Sequence, residues 1–119
     1  MKKILIIDDE LHLVEALKLK LTAACFDVAT AHNGESALDF LTKNQVDIVL
    51  LDIIMPKLDG FGFLDALRRK GISVPIIVLS NLGQPEDIER SKKYDDVKDF
   101  FVKADTSLDY VAKRISELI

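Results

Sequence analysis

The chain has a single cysteine, Cys25, among 119 residues, so it cannot close a disulfide within itself. That excludes the small disulfide-stapled scaffolds of secreted proteins and points to a reducing, cytoplasmic setting. Cys25 ends the run Leu21-Thr22-Ala23-Ala24-Cys25-Phe26 at the close of an apolar helix face, and is expected to be a small buried hydrophobe rather than a reactive thiol. Long apolar runs are missing too: none approaches the roughly 20 residues of a membrane-spanning helix. Met1-Lys2-Lys3 sets two basic residues before Ile4, but the apolar stretch that follows stops at Asp8, too soon for a signal peptide. There is no surplus of positive charge, since 16 Lys and Arg face 20 Asp and Glu for a net charge of −4. That balance argues against direct nucleic-acid binding. Repeats, low-complexity tracts and linkers are absent as well. With 49% hydrophobic residues, the chain is expected to form one domain over residues 1–119 around one core.

What is present is an alternation of strand-like and helix-like segments, repeated five times. Strands are expected over 3–7, 27–31, 47–51, 75–79 and 99–102. The first, third and fourth are almost wholly apolar, which marks interior strands covered on both faces. The second and fifth are more mixed and suit the edges. Helical spacing runs through Val14, Leu17 and Leu21; through Ala37, Leu38 and Leu41 after Asn33-Gly34; and through Phe61, Leu64 and Leu67 before Gly71. Asn33-Gly34 is also a hairpin signal, but the helical pattern behind it favours a strand-to-helix turn. The last helix carries Leu108, Val111, Ala112, Ile115 and Ile119, with caps on offer in Asp105-Thr106-Ser107. The fourth differs. Pro85 suits its first position and Glu86-Asp87 its first turn, but beyond Ile88 the residues Glu89-Arg90-Ser91-Lys92-Lys93 leave almost no apolar stripe. It should be the least firmly held. Alternating β and α with short loops gives an α/β fold, a five-stranded parallel sheet with helices on both faces.

Three aspartates carry the chemistry. Asp8 and Asp9 follow Ile4-Leu5-Ile6-Ile7, and Asp52 follows Ile48-Val49-Leu50-Leu51. Each acid therefore arrives at a strand C-terminus, where a parallel α/β sheet opens its binding crevice. Like charges gathered there repel, so at least one carboxylate should have a raised pKa. A hard divalent cation removes the repulsion, and oxygen ligands with retained waters suit Mg²⁺. If Asp52 accepted a phosphoryl group, the new oxygens would need a cation and a hydrogen-bond donor. Lys103, after Phe100-Phe101-Val102, and Ser80, after Ile76-Ile77-Val78-Leu79, supply both on the same edge. Singly, each residue has an ordinary reading as helix cap, solvated lysine or turn serine. Five of them on one edge do not.

Four stretches carry a family pattern: Ile6-Ile7-Asp8-Asp9-Glu10, Leu51-Asp52 through Asp59-Gly60, Leu79-Ser80, and Phe100-Phe101-Val102-Lys103. Together and in this order, they make the whole chain resemble the CheY-like receiver domain of bacterial two-component response regulators. The resemblance implies a flavodoxin-like (βα)5 fold with strand order 2-1-3-4-5. It implies that Asp52 takes a phosphoryl group from a histidine kinase or a phosphotransfer protein. Asp9, Asp52 and the backbone carbonyl of Ile54 would ligate Mg²⁺, with Asp8 acting through a bound water. Lys103 would pair with Asp52 and then with a phosphoryl oxygen, Ser80 would donate to the phosphoryl group, and Phe100 would rotate inward behind it. The surface of the fourth helix, fifth strand and fifth helix would then change and be read by an effector or a second copy. Such a module switches and catalyses only its own phosphotransfer and dephosphorylation.

The chain departs from the pattern at three places. Ala104 stands where the family usually has proline after the lysine, Asn81 where a small residue follows the hydroxyl, and Asp95-Asp96-Val97 where glycine often precedes the last strand. A non-proline cis bond costs roughly 2.5–4 kcal/mol, so Lys103-Ala104 is expected to be trans. The receiver resemblance implies that Ile54 and Leu82 border the in-line approach of water to the acyl phosphate, and their apolar bulk should slow its hydrolysis. His12 and His32 lack a partner at ligand spacing and are read as surface or packing residues, although His12 is near enough to Asp9 in sequence to border the site; Tyr94 and Tyr110 are open to two readings, partly buried packing or a partner surface. Two rival functions lack their motifs. A Mg²⁺-dependent phosphohydrolase working through an aspartyl phosphate would need Asp-x-Asp after the first strand. A nucleotide or flavin domain would need a glycine-rich loop where Asp8-Asp9-Glu10-Leu11 stands.

Overall fold

The computed structural model describes residues 1–55, 57–81 and 84–119. Strands β1 (Lys3–Ile7), β2 (Asp27–Ala31), β3 (Ile48–Leu51), β4 (Ile76–Ser80) and β5 (Val97–Val102) alternate with helices α1 (Leu11–Ala23), α2 (Gly34–Lys43), α3 (Gly60–Lys70), α4 (Pro85–Ser91) and α5 (Leu108–Leu118). The strands form one parallel sheet in the order β2-β1-β3-β4-β5, which puts the two mixed strands at the edges as expected.

The period-two alternation of a strand divides the core between the two faces. Leu5, Ile7, Val49, Leu51, Ile76 and Val78 face one way, against Ala37 and Leu41 of α2 and Phe61, Leu64 and Leu67 of α3. Ile4, Ile6, Ile48, Leu50, Ile77 and Leu79 face the other, against Val14, Leu17 and Leu21 of α1 and Val111 and Ile115 of α5. The continuous apolar runs of β1, β3 and β4 are thus the signature of strands covered on both sides. α1 and α5 are also tied by the ion pair of Lys20 with Asp109.

Three of the five helix starts, those of α2, α3 and α5, follow the capping rule. The side chains of Asn33, Asp59 and Ser107 accept from the backbone N–H groups of Ser36 (2.8 Å), Gly62 (2.8 Å) and Tyr110 (3.1 Å). Pro85 sits in the first turn of α4. Two helix ends turn through a left-handed residue, one of them Gly71 (φ 70°) after α3. The other is Cys25 (φ 70°), which corrects its assignment to the core. The Cys25 N–H reaches Thr22 O at 3.0 Å and the Phe26 N–H reaches Leu21 O at 3.1 Å, the two bonds of a Schellman motif. That turn points the Cys25 side chain out to solvent and seats Phe26 against the cluster that holds Leu21.

Three strands differ from their expected ranges: β4 runs over Ile76–Ser80 rather than 75–79, and two others start elsewhere for local reasons. β5 begins at Val97 rather than at residue 99, because Ile76 pairs with Val97 while Ile77 pairs with Asp99. Lys98 is therefore an extra, bulged residue that breaks the alternation. β3 begins at Ile48, since Asp47 turns its carboxylate back to accept the Lys3 N–H at 2.7 Å.

Candidate functional site

Two backbone bonds hold the acids at the carboxyl edge of the sheet. The Asp8 N–H donates to Ala31 O at 3.0 Å, and the Asp52 N–H donates to Ile7 O at 2.9 Å. Asp8 and Asp52 are only 3% and 5% exposed, whereas Asp9 is open to solvent. Their side chains follow one plan. Oδ1 of Asp8 accepts the Glu10 N–H at 2.9 Å, and Oδ1 of Asp52 accepts the Ile54 N–H at 3.2 Å. These short local turns hold each carboxylate in one rotamer. The Oδ2 atoms face Lys103, whose Nζ lies 2.9 Å from Asp8 and 3.1 Å from Asp52, with Glu10 further off at 3.9 Å.

The structure therefore brings Asp8, Asp9, Asp52 and Lys103 together. One oxygen from each of the three aspartates lies within 4.8 Å of the others. Three carboxylates against one ammonium leave a surplus of negative charge even after Lys103 is counted. The donor set is all hard oxygen, with no cysteine or histidine in it, and its Asp9 side opens to water. That chemistry fits Mg²⁺, which prefers a few carboxylates and several waters.

Burial raises the Asp8 carboxyl above its ordinary value, and the charge of Asp52 adds to this, while the Lys103 and Glu10 N–H hydrogen bonds oppose it. The expectation of a raised carboxylate holds at Asp8, but desolvation rather than like-charge crowding leads. For Lys103, burial alone would lower the pKa; the hydrogen bond to Asp8 and the charges of Asp52 and Asp8 outweigh it and raise it.

Ser80 is fully buried at the last position of β4, paired in register with Val102. Phe100 pairs with Val78, one alternation earlier, and packs half-buried on the α2–α3 side of the sheet. Ile54 is 54% exposed beside Asp52. The Lys103–Ala104 bond is trans, and Lys103–Asp105 form a single 3-10 turn. The chain thus keeps the lysine on Asp52 without proline after it. Leu82 lies outside the described residues. His32 is exposed, in keeping with its reading as a surface residue, and its Nδ1 also lies 3.3 Å from the Asp8 carbonyl oxygen. The signal was available: His32 directly follows β2, whose last residue pairs with Ile7.

A family model described as the response regulator receiver domain matches residues 4–115. The chain belongs to this family. A probable transcriptional regulator ycf27 of Porphyra purpurea is 45% identical over 83 residues, covering 70% of this chain and 34% of that protein. This receiver thus spans about a third of that relative's length. Among solved structures, the receiver domain of Francisella response regulator 1452 superposes with a TM-score of 0.90 at 32% identity, over 99% of this chain and 96% of that one. The response regulator TrrA of Thermotoga maritima, in complex with Mg²⁺-BeF, superposes with a TM-score of 0.84 at 29% identity over 100% of both chains. Among the described residues, no helix is long and apolar enough to cross a membrane.

Proposed function

We propose that this receiver is phosphorylated on Asp52 in the cytoplasm by a histidine kinase or phosphotransfer protein, and that it passes the signal on through the surface of α4, β5 and α5. One observation carries the reading. The buried Asp52 carboxylate is held by the Ile54 N–H, faces Lys103, and has two further carboxylates within 4.8 Å. In the transfer, an Asp52 oxygen attacks phosphorus, the bond from phosphorus to the donor imidazole nitrogen breaks, and the imidazole takes up a proton. Asp9 and Asp52, with the Ile54 carbonyl, would hold Mg²⁺, and Asp8 would act through a water. The ion supplies positive charge against the phosphoryl oxygens. Lys103 already faces Asp52, so its ammonium can follow the charge from carboxylate to phosphoryl oxygen. The Ser80 hydroxyl would turn to donate to the phosphoryl group, and Phe100 would move inward behind it. A local electrostatic event thereby biases an element with two arrangements.

The test is mass spectrometry after incubation with acetyl phosphate and Mg²⁺. One added phosphate, located at Asp52 and absent from Asp52→Asn, is expected. Rapid multiple turnover of a phosphoester would instead make the protein a phosphohydrolase.

A further inference from the structure

α4 is a short helix in which only Ser91 is buried. Besides its contact with β5, it is attached by a stack of side chains shared with α3. The Arg90 guanidinium lies 4.0 Å from the centre of the Phe61 ring, and Phe61 is itself only 4% exposed. Phe61 stacks with Tyr94 at 6.4 Å between ring centres. Arg68 lies over the Tyr94 ring at 4.6 Å, and its Nη2 donates to the Lys93 carbonyl at 3.0 Å. The Tyr94 hydroxyl donates to Asp65 Oδ1 at 2.6 Å. Cation, ring, ring and cation thus interleave, alternately from α4 or the turn after it and from α3. A hydrogen bond to a charged acceptor fixes the central tyrosine. Burial, with the Asp65 bond behind it, raises the Tyr94 phenol above its ordinary pKa, so it remains a donor.

We propose that this stack is a latch on α4, with Tyr94 as its central positioning residue, and that its strength sets how easily a phosphoryl group on Asp52 moves the helix. This rests on the phosphoacceptor reading given above. The Tyr94–Asp65 bond is made in the arrangement in which Lys103 Nζ lies 3.1 Å from Asp52. A contact made in one arrangement and weakened in the other opposes the transition by its differential energy. Deleting it raises the affinity for whatever favours the second arrangement. A bond that only supports the fold would lower stability and leave that affinity unchanged.

The experiment uses Tyr94→Phe and Asp65→Ala, which delete the same bond from opposite ends, together with the double variant. Each folded protein is titrated with beryllofluoride in Mg²⁺ by calorimetry, and α4 amide exchange is followed without the ligand. Each single variant is expected to bind beryllofluoride about 3- to 10-fold more tightly than the parent, the range expected for one hydrogen bond. The double variant should gain no more than a single one, and α4 amides should exchange faster in all three. Unchanged or weaker binding, with a parent that binds, overturns the latch and leaves the phosphoacceptor reading standing. A parent that fails to bind, or an Asp52→Asn control that binds equally well, overturns both.

Discussion

Asp8 shows how one residue can serve the site at the expense of the fold. Its carboxylate is buried, and burial is the main reason its pKa is raised. A carboxyl with a raised folded pKa binds more protons folded than unfolded, so its contribution to stability falls as pH rises from the ordinary aspartate value through the folded one. Asp8→Asn keeps the shape and removes the charge. In metal-free buffer it should melt higher than the parent at neutral pH, and the gap should close as pH falls toward the ordinary aspartate range. A variant that melts lower at neutral pH would mean that the pairing with Lys103, at 2.9 Å, outweighs desolvation. The sequence showed that acids converge here but not which force dominates. Repulsion can be read from spacing, whereas desolvation depends on how deeply the packed chain covers each group. Asp8 is covered and its neighbour Asp9 is not.

At the scale of elements, strands were more legible than helix ends. Apolar runs mark β1, β3 and β4 because both faces of an interior strand are buried. The start of β5 was hidden because the bulge at Lys98 spoils the period of two. The burial of Cys25 at the end of α1 was misread because a left-handed cap usually announces itself with glycine, and here Cys25 holds the position at φ 70°. A non-glycine residue there pays roughly 1–2 kcal/mol of steric cost, against which glycine costs about 0.5–1 kcal/mol in chain entropy. Cys25→Gly should therefore stabilise the protein by up to about 1 kcal/mol in urea unfolding. A lower urea midpoint would show that the exposed thiol makes a contact that offsets the strain. Gly34 behaves oppositely. A Cβ there would come within 2.3 Å of the Leu58 carbonyl oxygen, and backbone cannot yield as a flexible side chain can. Gly34→Ala should cost about 1–3 kcal/mol in the same measurement, and a neutral result would mean that the loop after β3 moves freely away from α2.

For the whole molecule, sheet order and site are one fact. The order β2-β1-β3-β4-β5 makes β1 and β3 neighbours and places their ends, Asp8-Asp9 and Asp52, side by side. β5 lies one strand further out, beyond β4, so Lys103 has to reach back across to meet them. Alternation of β and α was enough to foresee a parallel sheet, but the order came only through the family pattern, because local periodicity does not say which strands adjoin. The same geometry would make the fold a reporter of a bound cation. The cluster is assembled only when β1 and β3 pair, so a cation held by Asp8, Asp9 and Asp52 binds the native state and not the unfolded chain. Linkage then predicts a stabilisation of RT ln(1 + [L]/Kd), about 2.7 kcal/mol when Mg²⁺ stands at 100 times its Kd. Melts in EDTA and in millimolar Mg²⁺ should differ for the parent. Asp9→Ala is the informative control, because Asp9 is exposed and its loss leaves the core and the Lys103 pairs in place. It should melt near the parent in EDTA and gain little from Mg²⁺. An equal gain in both proteins would show that the ion binds elsewhere, and no gain in the parent would show that Lys103 alone is sufficient counter-charge for the three acids.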